Sequence, residues 1–307
     1  MSEHARAVIA KQSKSFALAS RLLSRECGDE VAVLYAYCRR ADDEVDLAPP
    51  AEQAERVERL YSELTSIYAG EPQSQPLLAE FQALVKRRHI PEEYPRALLD
   101  GMRSDLGPVR LASTDELLLY SYRVAGVVGL MLCHVFGLSD RSALKNAAHL
   151  GIAMQITNIC RDVREDQARG RVYLPGDVLV ECGAIGVGDF GAGLVARSVK
   201  RLLLLADRYY RSGDAGFYAL PLRAALAARA ARLVYAAIGD ELARRHFDAL
   251  RGRVVVPTWR KLWLVGRAVF EELGSRAWSR TFGRTRRADP SLLFRSGATP
   301  ADPVTWL

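Results

Sequence analysis

Between residues 158 and 171 the chain reads NICRDVREDQARGR, which sets Asn158, Asp162 and Asp166 four residues apart and follows them with Arg169 and Arg171. On a helix, side chains four apart stand one above the other at about 6 Å, so this stretch is a ladder of oxygen atoms. A second ladder lies in YAYCRRADDEVD, where Asp42 and Asp46 repeat the spacing just after Arg39, with Tyr35 further back on the same segment. Such ladders suit a solvated, salt-bridged face. They equally suit hard divalent cations, which take carboxylate and phosphate oxygens. With 36 acids in 307 residues, random placement gives roughly four acid pairs at this spacing, so neither ladder decides the matter alone.

Both ladders continue apolar segments, VAVLYAYC and GIAMQITNIC. Acids on a buried face carry a large desolvation cost unless cations pair with them. Two such helices facing each other bring four carboxylates to one cavity mouth. Several Mg²⁺ ions fit there, each on one or two carboxylates and completed by phosphate oxygens and water. A di-iron centre needs Glu-x-x-His pairs, and none of His4, His89, His134, His149 and His246 has a glutamate three residues before it. AGVVG at 125–129 lacks the lysine of a phosphate-binding loop and follows no strand pattern, so its small residues read as close helix packing.

The elements that must hold these residues are helical. Apolar residues recur at three and four near 4–23, 28–47, 51–69, 75–88, 91–106, 114–137, 140–168, 189–212, 222–249 and 258–281. Pro49-Pro50, Gly70, Pro72, Gly107-Pro108, Gly137, Gly252 and Pro257 punctuate them, and Ser113 followed by Asp115 and Glu116 caps one start. No alternating strand pattern occurs. The expectation is one all-α domain over 1–290 and an irregular tail over 291–307.

Apolar residues are 49% of the chain and charged residues 26%, the balance of a water-soluble globular protein. Cys27, Cys38, Cys133, Cys160 and Cys182 are odd in number with no CxxC spacing, which excludes a disulfide framework or structural zinc and points to a reducing compartment. The first residues carry no secretory pattern. The longest apolar run, Val124 to Leu138, is too short for a membrane span. A cytoplasmic protein is expected. The net charge of +7 has a local source, because Arg276, Arg280, Arg284, Arg286 and Arg287 fall in a stretch without an acid. The nearby aromatics form no base-stacking platform, so nucleic acid is not the expected partner. An anionic membrane surface, met peripherally through these arginines and Trp259, Leu262, Trp263 and Phe270, fits better.

Taken together, DDEVD and NICRDVREDQARGRVYLP resemble the head-to-head prenyl synthases, the squalene/phytoene synthase family. SKSF (13–16), GMRSDL (101–106), YSYRVAGVVG (120–129) and LPLRAALAARAARLVYAAIG (220–239) match in the family's order, covering 13 to about 265. The compact length and GRVYLP are most similar to the bacterial phytoene synthases.

The resemblance implies an isoprenoid synthase fold, with helices around a central apolar cavity. It implies joining of two geranylgeranyl diphosphates through prephytoene diphosphate to phytoene, with Mg²⁺ (Mn²⁺ as a substitute) and without NADPH. Squalene or dehydrosqualene synthesis from two farnesyl diphosphates is the alternative; a member that has lost catalysis and serves as a binding or assembly protein is another. The catalytic set it implies is Asp42, Asp46, Asp162, Asp166, Tyr120 and Arg39, with Asn158 joining the four aspartates around metal. Ser13, Ser15, Tyr35, Arg39, Gln155, Asn158, Arg161 and, across a small insertion, Arg253 would hold diphosphate. Phe16, Ser20 and Ala32 are expected along the prenyl tunnel: stepping back by turns from Asp42 through Arg39 and Tyr35 leads to Ala32 and Val31, and on the N-terminal helix Phe16 leads one turn on to Ser20. The resemblance implies no oligomeric state.

Overall fold

The computed structural model describes residues 18–186 and 190–282, and the side chains of these up to 277. Ser13, Ser15 and Phe16, the tail over 291–307, and the side chains of Arg280, Arg284, Arg286 and Arg287 lie outside the described residues.

Helix α1 (Arg25–Asp46) starts where Ser24 caps it, its hydroxyl accepting from the Cys27 N–H at 3.3 Å. It carries the first acid ladder in its last two turns. Three following helices fix it: α2 (Pro50–Ala69), α3 (Pro76–Arg88) and α4 (Glu93–Arg103). Tyr37 of α1 stacks on Phe81 of α3 with ring centroids 3.7 Å apart. Arg40 forks onto Glu63 of α2 at 2.8 and 2.9 Å. Glu30, fully buried, is neutralised by Arg87 and Arg88 at the end of α3.

The apolar run over 114–137 is one helical rod of α5 (Thr114–Ser121), a π-turn (Tyr122–Gly126) and α6 (Val127–Phe136). Its 23 residues (Thr114–Phe136) are long and apolar enough to cross a membrane by length and composition, but half of the apolar window is buried in this fold. It packs on α7 (Leu144–Ala168), the central helix, whose Ile152, Ala153, Ile156 and Cys160 are fully buried. Glycines set that approach. A Cβ on Gly151 would lie 2.3 Å from the Ala125 carbonyl oxygen, and one on Gly129 would lie 2.5 Å from that of Ala147. The small residues of AGVVG and GIAMQ are therefore what lets the two backbones meet.

On either side of the α5–α7 segment the chain departs from the purely helical expectation. Strand β1 (Val109–Arg110) pairs in parallel with β2 (Arg171–Val172), and a short α8 (Gly176–Glu181) follows. Two residues per strand leave no alternating pattern to read in a sequence. Helices α9 (Ala192–Asp214) and α10 (Leu222–Arg244) flank α7, separated by a 3-10 turn at Phe217–Ala219. α10 stops at Arg244 instead of running on to 249, because His246 and Phe247 take left-handed φ of 54° and 61°. The reversal sends 252–257 back toward the acids before α11 (Thr258–Phe282) returns antiparallel along α10.

Candidate active site

The last turns of α1 and α7 carry the acids, and arginines hold every ladder carboxylate that is bonded. Arg39 Nη1 donates to Asp42 Oδ2 at 2.9 Å and also pairs with Asp43. Arg161 Nε donates to Asp162 Oδ1 at 2.7 Å, and Arg253 Nε approaches the same oxygen at 3.3 Å from the loop after α10. Arg171, just beyond the second ladder, reaches back to the first: its Nη2 donates to Asp46 Oδ1 at 2.8 Å, and its charge acts on Asp166 as well. The β1–β2 pairing delivers this arginine: it fixes the chain just beyond α7 so that residue 171 faces the end of α1.

A fifth carboxylate joins them. Asp105, just past α4, accepts from the Tyr120 hydroxyl at 2.8 Å and from the Tyr173 hydroxyl at 2.7 Å, with the two rings stacked 4.8 Å apart. Burial raises the Asp105 carboxyl, and the two hydroxyls and Arg171 pull it back. Burial, then Asp46, pushes Asp42 up to about 6 against the opposing Arg39, with Asp105 adding to the rise. Burial, then Asp162, pushes Asp166 up to about 7, with Arg169 and Arg171 opposing and Asp105 again raising it. Desolvated carboxylates that repel one another are a mouth short of positive charge.

The face of α7 continues from the acids into an apolar cavity of about 270 Å³. Asn158, Gln155 and Gly151 line it from α7, Tyr235 and Ala231 from α10, and Phe217 and Leu220 from the turn between α9 and α10. Ser20 and Val31 line it from the N-terminal side. Asn158 donates weakly to Gln155 Oε1 at 3.4 Å, while its own Oδ1 is buried without a partner. An orphan amide oxygen one turn before Asp162 fits a cation, as do the raised carboxylates. Among the described residues, however, no three acidic, histidine or cysteine side chains converge tightly enough to enclose an ion by themselves. The donor set fits hard cations whose shells are completed by phosphate oxygens and water, and no self-sufficient cage.

Asp42, Asp46, Asp162, Asp166, Arg39, Arg161, Arg253, Gln155 and Asn158 are thus brought to one mouth. Tyr35 sits half-buried near them, its hydroxyl raised by burial and by Tyr235. Tyr120 is set back, buried at 8% exposure and engaged with Asp105, and does not line the cavity. Ala32 is a correction. It is buried at 2% exposure but does not line the cavity, whereas its neighbour Val31 does. Eleven residues back from Asp42 is close to three full turns, and ten is about 80° off that line. Asp105, Arg171 and Tyr173 join the site although none of them is in the set that the resemblance implies. The GRVYLP stretch that carries the last two was the available signal. Cys38 and Cys160 beside the acids are inert packing, and burial pushes the Cys38 thiol up to about 12.

Residues 9–260 match the family model described as squalene/phytoene synthase. The chain is 39% identical over 268 residues to a phytoene synthase of Rhodobacter capsulatus, covering 86% of this chain and 79% of that protein. It is 35% identical over 286 residues to a 15-cis-phytoene synthase of Pantoea ananas, covering 89% and 92%. Among solved structures, a dehydrosqualene synthase in complex with ligand superposes with a TM-score of 0.80 at 28% identity, covering 89% of this chain and 96% of that one. A squalene synthase from Alicyclobacillus acidocaldarius shares the fold, with a TM-score of 0.73 at 24% identity over 80% and 94%. An all-α bundle with acid ladders at the mouth of an apolar cavity, matched by this family over most of its length, is a prenyltransferase and belongs to the squalene/phytoene synthase family.

Proposed function

We propose that the chain joins two geranylgeranyl diphosphates head to head. The first step forms prephytoene diphosphate with loss of one diphosphate and a proton. The second loses the other diphosphate, rearranges and releases a proton to give phytoene, a step of carotenoid biosynthesis. The observation that carries this reading is the continuity of α7: its acids and Asn158 lead directly into the apolar cavity, so a diphosphate and its prenyl tail are served by one helix face. The named activity of the sequence relatives favours the C20 substrate.

Asp42, Asp46, Asn158, Asp162 and Asp166 would hold Mg²⁺, or Mn²⁺ in its place. When bound, the ions neutralise the charge that gathers on a departing diphosphate. Arg39, Arg161, Arg171 and Arg253 already stand on these carboxylates. With cations on the acids, these guanidinium groups would be free to grip diphosphate oxygens, which their forked donors match. Ser13, Ser15, Tyr35 and Gln155 complete the diphosphate contacts in this reading. Tyr120, whose burial keeps its hydroxyl protonated, holds Asp105 in place between the ladders. The cavity would exclude water from the allylic cation, and the rings of Tyr235 and Phe217 line it.

The reaction consumes no hydride, so no NADPH is needed. Its substrates are amphiphiles and its product is a hydrocarbon, so the reading includes a cytoplasmic enzyme that meets the inner face of the membrane peripherally. The structural neighbour named for dehydrosqualene favours a second reading, the C30 product from two C15 diphosphates. Purified protein with Mg²⁺ and either the C15 or the C20 diphosphate, with and without NADPH, separates them by product mass. A C40 hydrocarbon from the C20 substrate is expected. A C30 product from C15 with no C40 from C20 would overturn the choice. No product from either would return the chain to a non-catalytic binding role, which the intact acid ladders argue against.

A further inference from the structure

Helix α11 is built inside out. Its charged residues turn toward the protein: Arg260 pairs with Asp240 at 2.6 Å and with Glu241, and Glu272 pairs with buried Arg229 at 2.9 Å. Arg276 bonds Glu272 and the Leu220 carbonyl, both at 2.7 Å. Arg276 is therefore occupied inward and is not part of a free basic cluster, contrary to the expectation from its sequence neighbours. The outward face carries Trp259, Leu262, Trp263, Phe270 and Leu273, each between 50% and 80% exposed, with Val255 68% exposed just before the helix. At about 100° per residue, these five helical positions fall within an arc about 100° wide. Six of the twelve large exposed apolar side chains among the described residues lie in this one stretch. The one charge at the edge of the arc, Arg267, lies with its guanidinium over the Trp263 ring at 5.8 Å.

A soluble helix ordinarily shows the opposite arrangement. A contiguous exposed apolar stripe marks a docking surface. We propose that the outer face of α11 is the surface by which this protein lies on an anionic lipid bilayer. Three observations select lipid as the occupant. The stripe is one helix wide and, from Trp259 to Leu273, about 21 Å long, well short of the ~800 Å² per partner that a standard protein interface buries. Its aromatic content is weighted to tryptophan, the side chain suited to the boundary between headgroups and acyl chains. Arginines flank it, in the fold at its start and in the sequence after its end. Arg245 is exposed beside its start, next to Arg244 and Arg251, which are exposed but pair with Glu241 and Asp248, and the sequence beyond its end carries Arg284, Arg286 and Arg287 with no acid from 273 to 288. That arrangement complements anionic headgroups around an apolar strip. The inference deepens the reading of a prenyltransferase with lipophilic substrates by naming the face that meets the lipid.

The test uses the full chain with vesicles of equal parts phosphatidylglycerol and phosphatidylcholine, and with vesicles of phosphatidylcholine alone. Wild type should sediment with the anionic vesicles, with tryptophan emission shifted to the blue and quenched by brominated acyl chains. The double variant Leu262→Gln, Phe270→Gln should lose about fivefold or more of the bound fraction at unchanged far-UV circular dichroism. A control pair on other exposed apolar positions, Ile185→Gln and Leu204→Gln, should bind as wild type. Turnover of micellar substrate in detergent is measured on all three and should be equal, so failure of the enzymatic reading shows there and not in sedimentation. Wild type that ignores anionic vesicles, or a double variant that binds as well as wild type, overturns the proposal. A dimer in analytical ultracentrifugation that the double variant dissolves would assign the face to a second copy and overturn it as well.

Discussion

Asp42 and Asp166 are pushed up to about 6 and about 7 by burial and by their ladder partners. In the metal-free fold they hold their protons more tightly than in the unfolded chain. Their contribution to stability is therefore full below about pH 4, where both states are protonated, and is lost as pH rises through 6 and 7. A divalent cation competes with those protons and relieves the same repulsion. Mg²⁺ should then raise the melting temperature clearly at about pH 8 and hardly at all at about pH 5, where protons already occupy the site. Thermal melts with Mg²⁺ or chelator at both pH values check this; an equal effect at both would separate metal binding from these carboxylates. For turnover, Asp42→Asn or Asp162→Asn should cost about a thousandfold or more in kcat, since charge stabilisation of the leaving diphosphate is worth several kcal/mol. Circular dichroism should stay unchanged, and wild-type rates in either variant would remove the acids from the mechanism.

At the scale of elements, the legible features were those with a long period. The 3.6-residue pattern and the proline and glycine breaks located α1, α2, α3 and α7 closely, because their buried stripes run for several turns. The β1–β2 pairing, the π-turn at Tyr122–Gly126 and the stop of α10 at Arg244 were not legible. Each depends on contacts between distant segments over two to five residues, which leave no periodic trace. Those unreadable pieces place Arg171 and Arg253, so the arginine half of the site was less visible than the acid half. The same reasoning redirects the tunnel. Ser20 lines the cavity and Ala32 does not. Ser20→Phe should therefore depress use of the C20 diphosphate by at least about fivefold more than use of the C15 diphosphate, as kcat/KM, because an aromatic there shortens the space for a tail. Ala32→Trp should instead lower the urea midpoint by overpacking, at about 1–3 kcal/mol, without changing the substrate ratio. Equal losses on both substrates with Ser20→Phe would take that residue out of the tunnel.

Across the whole molecule, the part of the cavity wall formed by the turn between α9 and α10 is held from outside by charge. Leu220 and Phe217 line the cavity; the Leu220 carbonyl accepts from Arg276, and the Arg229 guanidinium lies over the Phe217 ring at 4.8 Å. Both arginines meet on Glu272, only 2% exposed, so one buried carboxylate on α11 secures two cations that together brace the turn between α9 and α10. A buried ion pair of this kind is worth little against an apolar replacement of both partners, but removing one partner strands the other charge. Glu272→Gln should accordingly destabilise the fold by about 3–5 kcal/mol in urea unfolding, because Arg229, at 7% side-chain exposure, is left with a looser pair to Glu271 at 3.6 Å and the field of Asp214. Arg229→Met combined with Glu272→Leu should recover most of that loss. The two variants should then differ in chemistry from how they differ in stability. In both, Arg276 loses its carboxylate and the turn is held less firmly, so tails longer than the wild-type substrate should be accepted in both, read as the product mass from a C25 diphosphate. If the double variant regains stability and still rejects the longer tail, the network serves the fold alone and the length limit lies in the side chains of Phe217 and Leu220 themselves.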